Sequence, residues 1–254
     1  MARRYMLELA YNGAAYHGWQ RQPQSLSVQQ VLEEKLSLVL RRDIQVQGCG
    51  RTDSGVHASE YYAHFDTDVV LPADLLFRLN KLLPPDILIY SIYRVSSEVH
   101  ARFSATERAY RYDLSQQKNP FSPETLTVYP MLGQVDAELV HAAAALILQY
   151  EEFLPFCKTK SDAKTMRCDL RQAEWVIHDY RWSFHIKSDR FLRGMVRLIV
   201  GACLRVGRRQ IELGEVDAAL REQRPIHGSW SAPPHGLFLT KVQYPDQSSW
   251  EVLF

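Results

Sequence analysis

The chain has 254 residues, 46% of them hydrophobic and 23% charged, with a formal net charge of +1. That length supports the core of one large or two small domains, and the even charge balance excludes a polybasic protein, so a nucleic-acid partner would need its cations gathered on one face. Four cysteines lacking a Cys-x-x-Cys spacing or histidines to complete a zinc site point to reduced thiols in the cytoplasm, and no apolar run approaches a membrane span.

Arg3–Tyr11 alternates, with Tyr5, Leu7, Leu9 and Tyr11 on one face, and ends in Asn12-Gly13, which predicts a strand and a turn. Tyr16 to Pro23 forms a loop whose Trp19 suits a core plug and an RNA contact equally. Ser27–Arg42 predicts a helix opened by a Ser27/Gln30 capping box. Asp43–Gln47 and Glu60–Asp66 read as strands, followed by a short helix near Asp74–Leu82, a Pro84-Pro85 break and a strand over Ile87–Val95. The order β-α-β, loop, β-α-β suggests a ferredoxin-like α+β unit.

A boundary near Val99–Thr106 divides the chain into 1–103 and 104–254. The strand Glu107–Leu114 puts Arg108, Tyr110 and Tyr112 on one face, a strip fit either for the core or for stacking bases and holding phosphate. Lys118–Gly133 reads as a long loop, Asp136–Tyr150 as a helix, and Phe153–Met166 as an irregular basic stretch with Lys158, Lys160 and Lys164. Strands Asp169–Ile177 and Arg181–Lys187 precede the longest helix, Asp189–Arg209, with Gly194 inside it and Arg193 and Arg197 four residues apart. An arginine on so apolar a helix wants a carboxylate or phosphate; Asp53 is one natural partner for Arg197, a glutamate at the core edge another. A helix over Gly214–Gln223 and a strand over Leu237–Tyr244 complete the alternation.

Gly48-Cys-Gly-Arg-Thr-Asp-Ser-Gly-Val-His57 lies between two of these strands. Its spacing excludes both common phosphate loops: Asp53 stands where Gly-x-Gly-x-x-Gly needs its third glycine, and Val56-His57 where the other pattern needs Lys-Ser/Thr. No nucleotide cofactor is expected. Asp53-Ser54-Gly55 matches the turn of aspartic proteases, but that chemistry needs two carboxylates sharing a proton, and only one copy is present. What remains is a lone aspartate beside Arg51. A carboxylate ionised at neutral pH suits a nucleophile or base, and Arg51 suits a charge partner or a phosphate.

Six stretches carry a resemblance. Tyr11-Asn-Gly13 with Tyr16-His-Gly-Trp-Gln-Arg-Gln22, Gly50–His57, His100-Ala-Arg-Phe103, Tyr110-Arg-Tyr112, Phe191–Arg197 and Ala232–Leu237 resemble, in order and spacing, the TruA family of tRNA pseudouridine synthases. The likeness runs from the first strand to the last, with departures at Asn12, Ala109 and Gly194. It implies two ferredoxin-like or RRM-like α+β units joined through mainly antiparallel sheets, with a catalytic cleft between them. It also implies conversion of uridine to pseudouridine at positions 38 to 40 of the tRNA anticodon arm, by a homodimer without cofactor or metal. By resemblance Asp53 is the catalytic aspartate, Arg51 takes the place of the flipped uridine, Tyr110 stacks on the target base, and Arg197 pairs with the aspartate. A non-catalytic tRNA-binding or chaperone module, or a synthase acting on another RNA, are the rival readings.

Overall fold

Alternation in the first strand has the expected result: along β1 (Arg3–Tyr11), Tyr5, Leu7, Leu9 and Tyr11 are all buried. The computed structural model describes residues 2–158 and 164–254, so Lys160 of the basic stretch lies outside the described residues. The chain forms two units, Met1–Glu107 with Phe238–Phe254, and Arg108–Leu237.

In the first unit β1 is followed by α1 (Val28–Leu40), β2 (Gln47–Gly48), β3 (His57–Thr67), α2 (Leu75–Leu82) and β4 (Ile87–Val95). Ser27 caps α1, its Oγ accepting from the Gln30 amide at 3.3 Å, and Arg41 ends the helix in the left-handed region. β1 lies between β3 and β4, antiparallel to both, and β2 pairs with β3. The order β4-β1-β3-β2 is the ferredoxin-like arrangement that the alternation of elements suggested. β2 is much shorter than the expected Asp43–Gln47. The Val46 amide donates to Glu33 Oε1 at 3.1 Å and its carbonyl accepts from Gln29 Nε2 at 3.0 Å, so side chains of α1 take the hydrogen bonds a neighbouring strand would have taken.

The second unit repeats the mixed α+β pattern with β5 (Glu107–Ser115), β6 (Thr127–Val128), α3 (Ala137–Ile147), β7 (Leu170–His178), β8 (Arg181–Ser188), α4 (Met195–Gly207) and α5 (Leu213–Glu222). β8 runs antiparallel between β5 and β7, and β6 adds to β5 in parallel. Tyr112, Phe184 and Trp175 sit opposite one another across the three strands and are all buried.

β9 (Leu237–Gln243) pairs in parallel with β3 at His57 and Ala58, and β10 (Glu251–Val252) pairs with β4. These ladders carry the last strands back to the first unit, whereas the boundary read from sequence left them in the second. Among the described residues no helix is long and apolar enough to cross a membrane.

Candidate active site

Between β2 and β3 the chain from Cys49 to Val56 makes a loop pinned along its length. The Cys49 amide donates to the Tyr62 carbonyl at 2.8 Å, and the Tyr61 hydroxyl donates to the Gly50 carbonyl at 2.5 Å. Thr52 is turned inward, its hydroxyl 2.9 Å from that of Tyr11, while its carbonyl accepts from the Trp19 amide at 3.3 Å. Beyond it the Val56 amide closes a turn onto the Asp53 carbonyl, and the Gly55 amide donates to the Tyr16 carbonyl, both at 3.2 Å.

The Tyr16–Trp19 segment therefore forms the other wall of the loop. It comes so close that a Cβ on Gly18, whose φ is +85°, would lie 2.3 Å from the Thr52 carbonyl oxygen. Trp19 is 1% exposed and stacked on Tyr61 at 4.1 Å, which settles it as a core residue. Glycine is required at Gly48 as well, where a Cβ would meet the Tyr61 hydroxyl at 2.2 Å and the Trp19 ring at 2.5 Å.

On this support Arg51 is exposed and Asp53 half-buried. The space beside Gly50 is open, with no atom within 4 Å of where its Cβ would stand. The motif ends in a structural residue: His57 is buried, its Nδ1 accepts from the Gly13 amide at 3.0 Å, and its ring stacks on Phe238.

Tyr110 and Arg197 belong to the second unit. Tyr110 is half-buried on β5, with the ring of Phe191 meeting it edge to face at 5.1 Å. The strip expected from Arg108, Tyr110 and Tyr112 is shorter than the sequence suggested. Tyr112 is fully buried; its hydroxyl lies 2.8 Å from Thr127 Oγ1 and donates to the Pro233 carbonyl at 2.8 Å, and burial raises its pKa. Arg108 donates to the Asp189 carbonyl at 2.8 Å.

α4 starts at Met195, six residues later than the periodicity predicts, because Gly194 takes φ +71° and breaks the helical path. Gly194 is thus the residue that opens the helix and not one inside it, and Arg193 precedes the helix. Arg197 sits in the first turn, half-buried, with its Nε donating to the Ala232 carbonyl at 2.5 Å and its own carbonyl accepting from the Ala232 amide at 3.0 Å. Arg51 and Asp53 thus share one loop of the first unit, and Tyr110 and Arg197 are mounted on neighbouring segments of the second.

The supports of the loop, Tyr11, Trp19 and Tyr61, carry no charge and so do not stand out as chemical groups. Trp19 is legible as a core plug and Tyr11 through its motif, whereas the signal at Tyr61 is its inward position on the strand that follows the loop. Among the described residues no group of three or more His, Cys, Asp or Glu is placed to hold a metal ion.

Comparison with known proteins adds the remaining observation. Residues 150–245 match the family model described as tRNA pseudouridine synthase. A protein of Bacteroides thetaiotaomicron named tRNA pseudouridine synthase A is 44% identical over 248 residues, covering 96% of this chain and 91% of its own length. Proteins of the same name from Parabacteroides distasonis and Staphylococcus aureus are 41% and 31% identical, each over 96% of this chain and 97% and 93% of their own. With such identity along nearly its whole length, the chain belongs to the tRNA pseudouridine synthase family.

Proposed function

We propose that this chain is an isomerase that converts uridine to pseudouridine at positions 38, 39 and 40 of the tRNA anticodon stem and loop, acting as a cytoplasmic homodimer without a cofactor. The observation that carries the reading is the loop itself: a half-buried carboxylate, Asp53, beside an exposed arginine, Arg51, on a backbone fixed by hydrogen bonds at Cys49, Gly50, Thr52 and Gly55. Rigid presentation of a charged group is what a site needs if the transition state is to be bound better than the substrate.

The reaction is a rearrangement. The C1′–N1 bond breaks, the uracil turns within the site, C5 bonds to C1′, and the proton lost from C5 is balanced by one gained at N1. Atoms and electrons balance within the nucleotide, so a single carboxylate suffices, as nucleophile at C1′ or as base toward a sugar proton. The target must first leave the stack, at a cost of a few kcal/mol. Arg51, exposed beside the carboxylate, takes the vacated place. Tyr110 stacks on the flipped base, a contact worth about 1–3 kcal/mol, and Arg197 binds the substrate from the start of α4.

The test is incubation of the protein with unmodified tRNA, pseudouridine being mapped by chemical derivatisation and primer extension, alongside Asp53→Asn. Product at positions 38 to 40 that disappears in the variant, with tRNA binding retained, is the expected result. Turnover by Asp53→Asn near the wild-type level overturns the assignment. Product elsewhere moves the substrate and keeps the chemistry.

A further inference from the structure

One of the six motifs has no part in the chemistry above. His100–Phe103 forms a turn in the first unit, and that turn is tied down from every side. His100 Nδ1 accepts from the amides of Arg102 at 3.1 Å and Phe103 at 3.3 Å. Ser104 closes the turn, its amide donating to the His100 carbonyl and its Oγ accepting from the His100 amide, both at 2.9 Å. Ala101, fully buried, donates to His64 Nδ1 at 3.1 Å and accepts the Tyr244 hydroxyl at 2.6 Å.

At the tip of this anchored turn Phe103 is 76% exposed. Its ring centroid lies 4.4 Å from that of His100, and the Arg102 guanidinium is 5.6 Å away, within reach of a cation–π contact. Single exposed apolar residues are ordinary on protein surfaces. Here, though, hydrogen bonds hold the backbone of the turn on which the ring stands outward, and a large aromatic kept in water forgoes roughly 1.5–3 kcal/mol of burial. The flanking side chains are polar: Arg102 and Thr106 are exposed and Ser104 is half-buried. That surrounding suits one flat ring and not the broad apolar patch of a protein interface. Burial, then Arg4 and Arg102, lower the pKa of His100; Arg4 is itself bound to Asp66 at 2.8 and 2.7 Å, so the cation set against the ring is Arg102.

We infer that Phe103 is a stacking platform for an unpaired nucleobase of the RNA substrate, with Arg102 as the cation beside it. The inference rests on the reading that this chain acts on tRNA. Every base has a π-face, so such a platform contributes affinity without reading sequence.

Steady-state kinetics on unmodified tRNA with Phe103→Ala, Phe103→Leu and Phe103→Trp test it. The alanine variant should raise KM roughly 5- to 150-fold, the range expected for losing one base–aromatic stack, with the loss in KM and not in kcat. Phe103→Leu, which keeps apolar bulk without a π-face, should resemble alanine, and Phe103→Trp should restore the wild-type value. Ultraviolet cross-linking of tRNA to the wild-type protein should map to the peptide holding Phe103. A wild-type KM in the alanine or leucine variant overturns the platform. So does dissociation of the variant into a smaller species by sedimentation, which would make the ring a protein contact. Wild-type protein that forms no pseudouridine at all defeats the functional reading instead, so the two failures are distinguishable.

Discussion

Removing one hydroxyl, that of Tyr61, separates the support of the loop from its chemistry. Tyr61 is fully buried, its ring stacks on Trp19 at 4.1 Å and meets Tyr11 edge to face at 5.5 Å, and its hydroxyl holds the Gly50 carbonyl at 2.5 Å. Tyr61→Phe keeps both ring contacts and deletes the hydroxyl that bonds to Gly50, one residue before Arg51. A half-buried carbonyl that loses such a partner gives up about 0.5–1.5 kcal/mol, and the same energy in a barrier is a factor of about 2 to 10 in rate. Two quantities are to be measured together: unfolding by urea, and the single-turnover rate on saturating tRNA. The expected result is a stability loss of about 1 kcal/mol with a rate lowered about fivefold, because Gly50 moves and Arg51 with it. If stability falls as expected while the rate stays within about twofold of wild type, the loop is held well enough without Tyr61 and the reasoning fails.

Four further outcomes follow from the same contacts. His64 is lowered to about 4 by burial first, then by Arg4 and His100, with Asp66 opposing. A histidine whose folded pKa lies below its unfolded value binds fewer protons in the native state, so its stabilisation is complete above about pH 6.5 and is lost as pH falls toward 4. Between pH 7 and pH 4.5 urea titrations should show wild-type stability falling by about 2 kcal/mol more than that of His64→Gln; equal slopes refute the link. Gly194→Ala should destabilise by about 1 kcal/mol or more and weaken tRNA binding, because φ there is +71° and the new Cβ would meet the Lys158 side chain at 2.8 Å; chemical denaturation and binding assays check both. Tyr112→Phe should lower stability by about 1–3 kcal/mol, having lost a buried hydroxyl shared by Thr127 and Pro233, whereas Tyr110→Ala should act mainly on tRNA affinity. Burial raises the thiols of Cys168 and Cys203 to about 12, and Cys49 is fully buried, so brief alkylation of native protein at pH 8, read by peptide mass spectrometry, should label the half-buried Cys157 first.

Where sequence and structure agree, the controlling physics is local. Period-two alternation identifies β1, and Ser27 marks the start of α1, because pleat and cap are settled within a few residues. That Arg51 and Asp53 lie on a loop between strands is legible because three glycines in eight residues interrupt the alternation on either side. Disagreement begins where a distant group decides. Nothing in Asp43–Val46 reveals that Glu33 and Gln29 will satisfy Val46, so a strand is read where α1 supplies the partners. Apolar spacing runs unbroken through Phe191 and Leu192 into α4, and only the left-handed turn at Gly194 ends it. Tyr110 and Tyr112 look alike on paper, yet Thr127 and Pro233 draw one hydroxyl into the core. β6 and β10, of two residues each, are too short for any periodicity.

The motifs that read as six separate stretches are, within each unit, mutually locked parts. Gly13 donates to His57, Gly18 lies against Thr52, and Tyr16 holds Gly55, so the first two motifs form one structure. In the second unit Arg197 is bonded twice to Ala232, a Cβ on Gly201 would lie 1.9 Å from the Trp230 carbonyl, and a Cβ on Gly236 would lie 2.4 Å from the Asp113 carbonyl. Helix α4, the turn after residue 230 and strand β5 therefore cannot shift independently. This explains why so many of the motif residues are glycines and uncharged aromatics. On the proposed reading the reaction asks the protein for one carboxylate and a few contacts to RNA, and within each unit the remaining motif residues hold in place the segments that carry those groups. A catalytic group on a rigid mount loses little on reaching the transition state, so damage to the mount should appear in rate before it appears in fold.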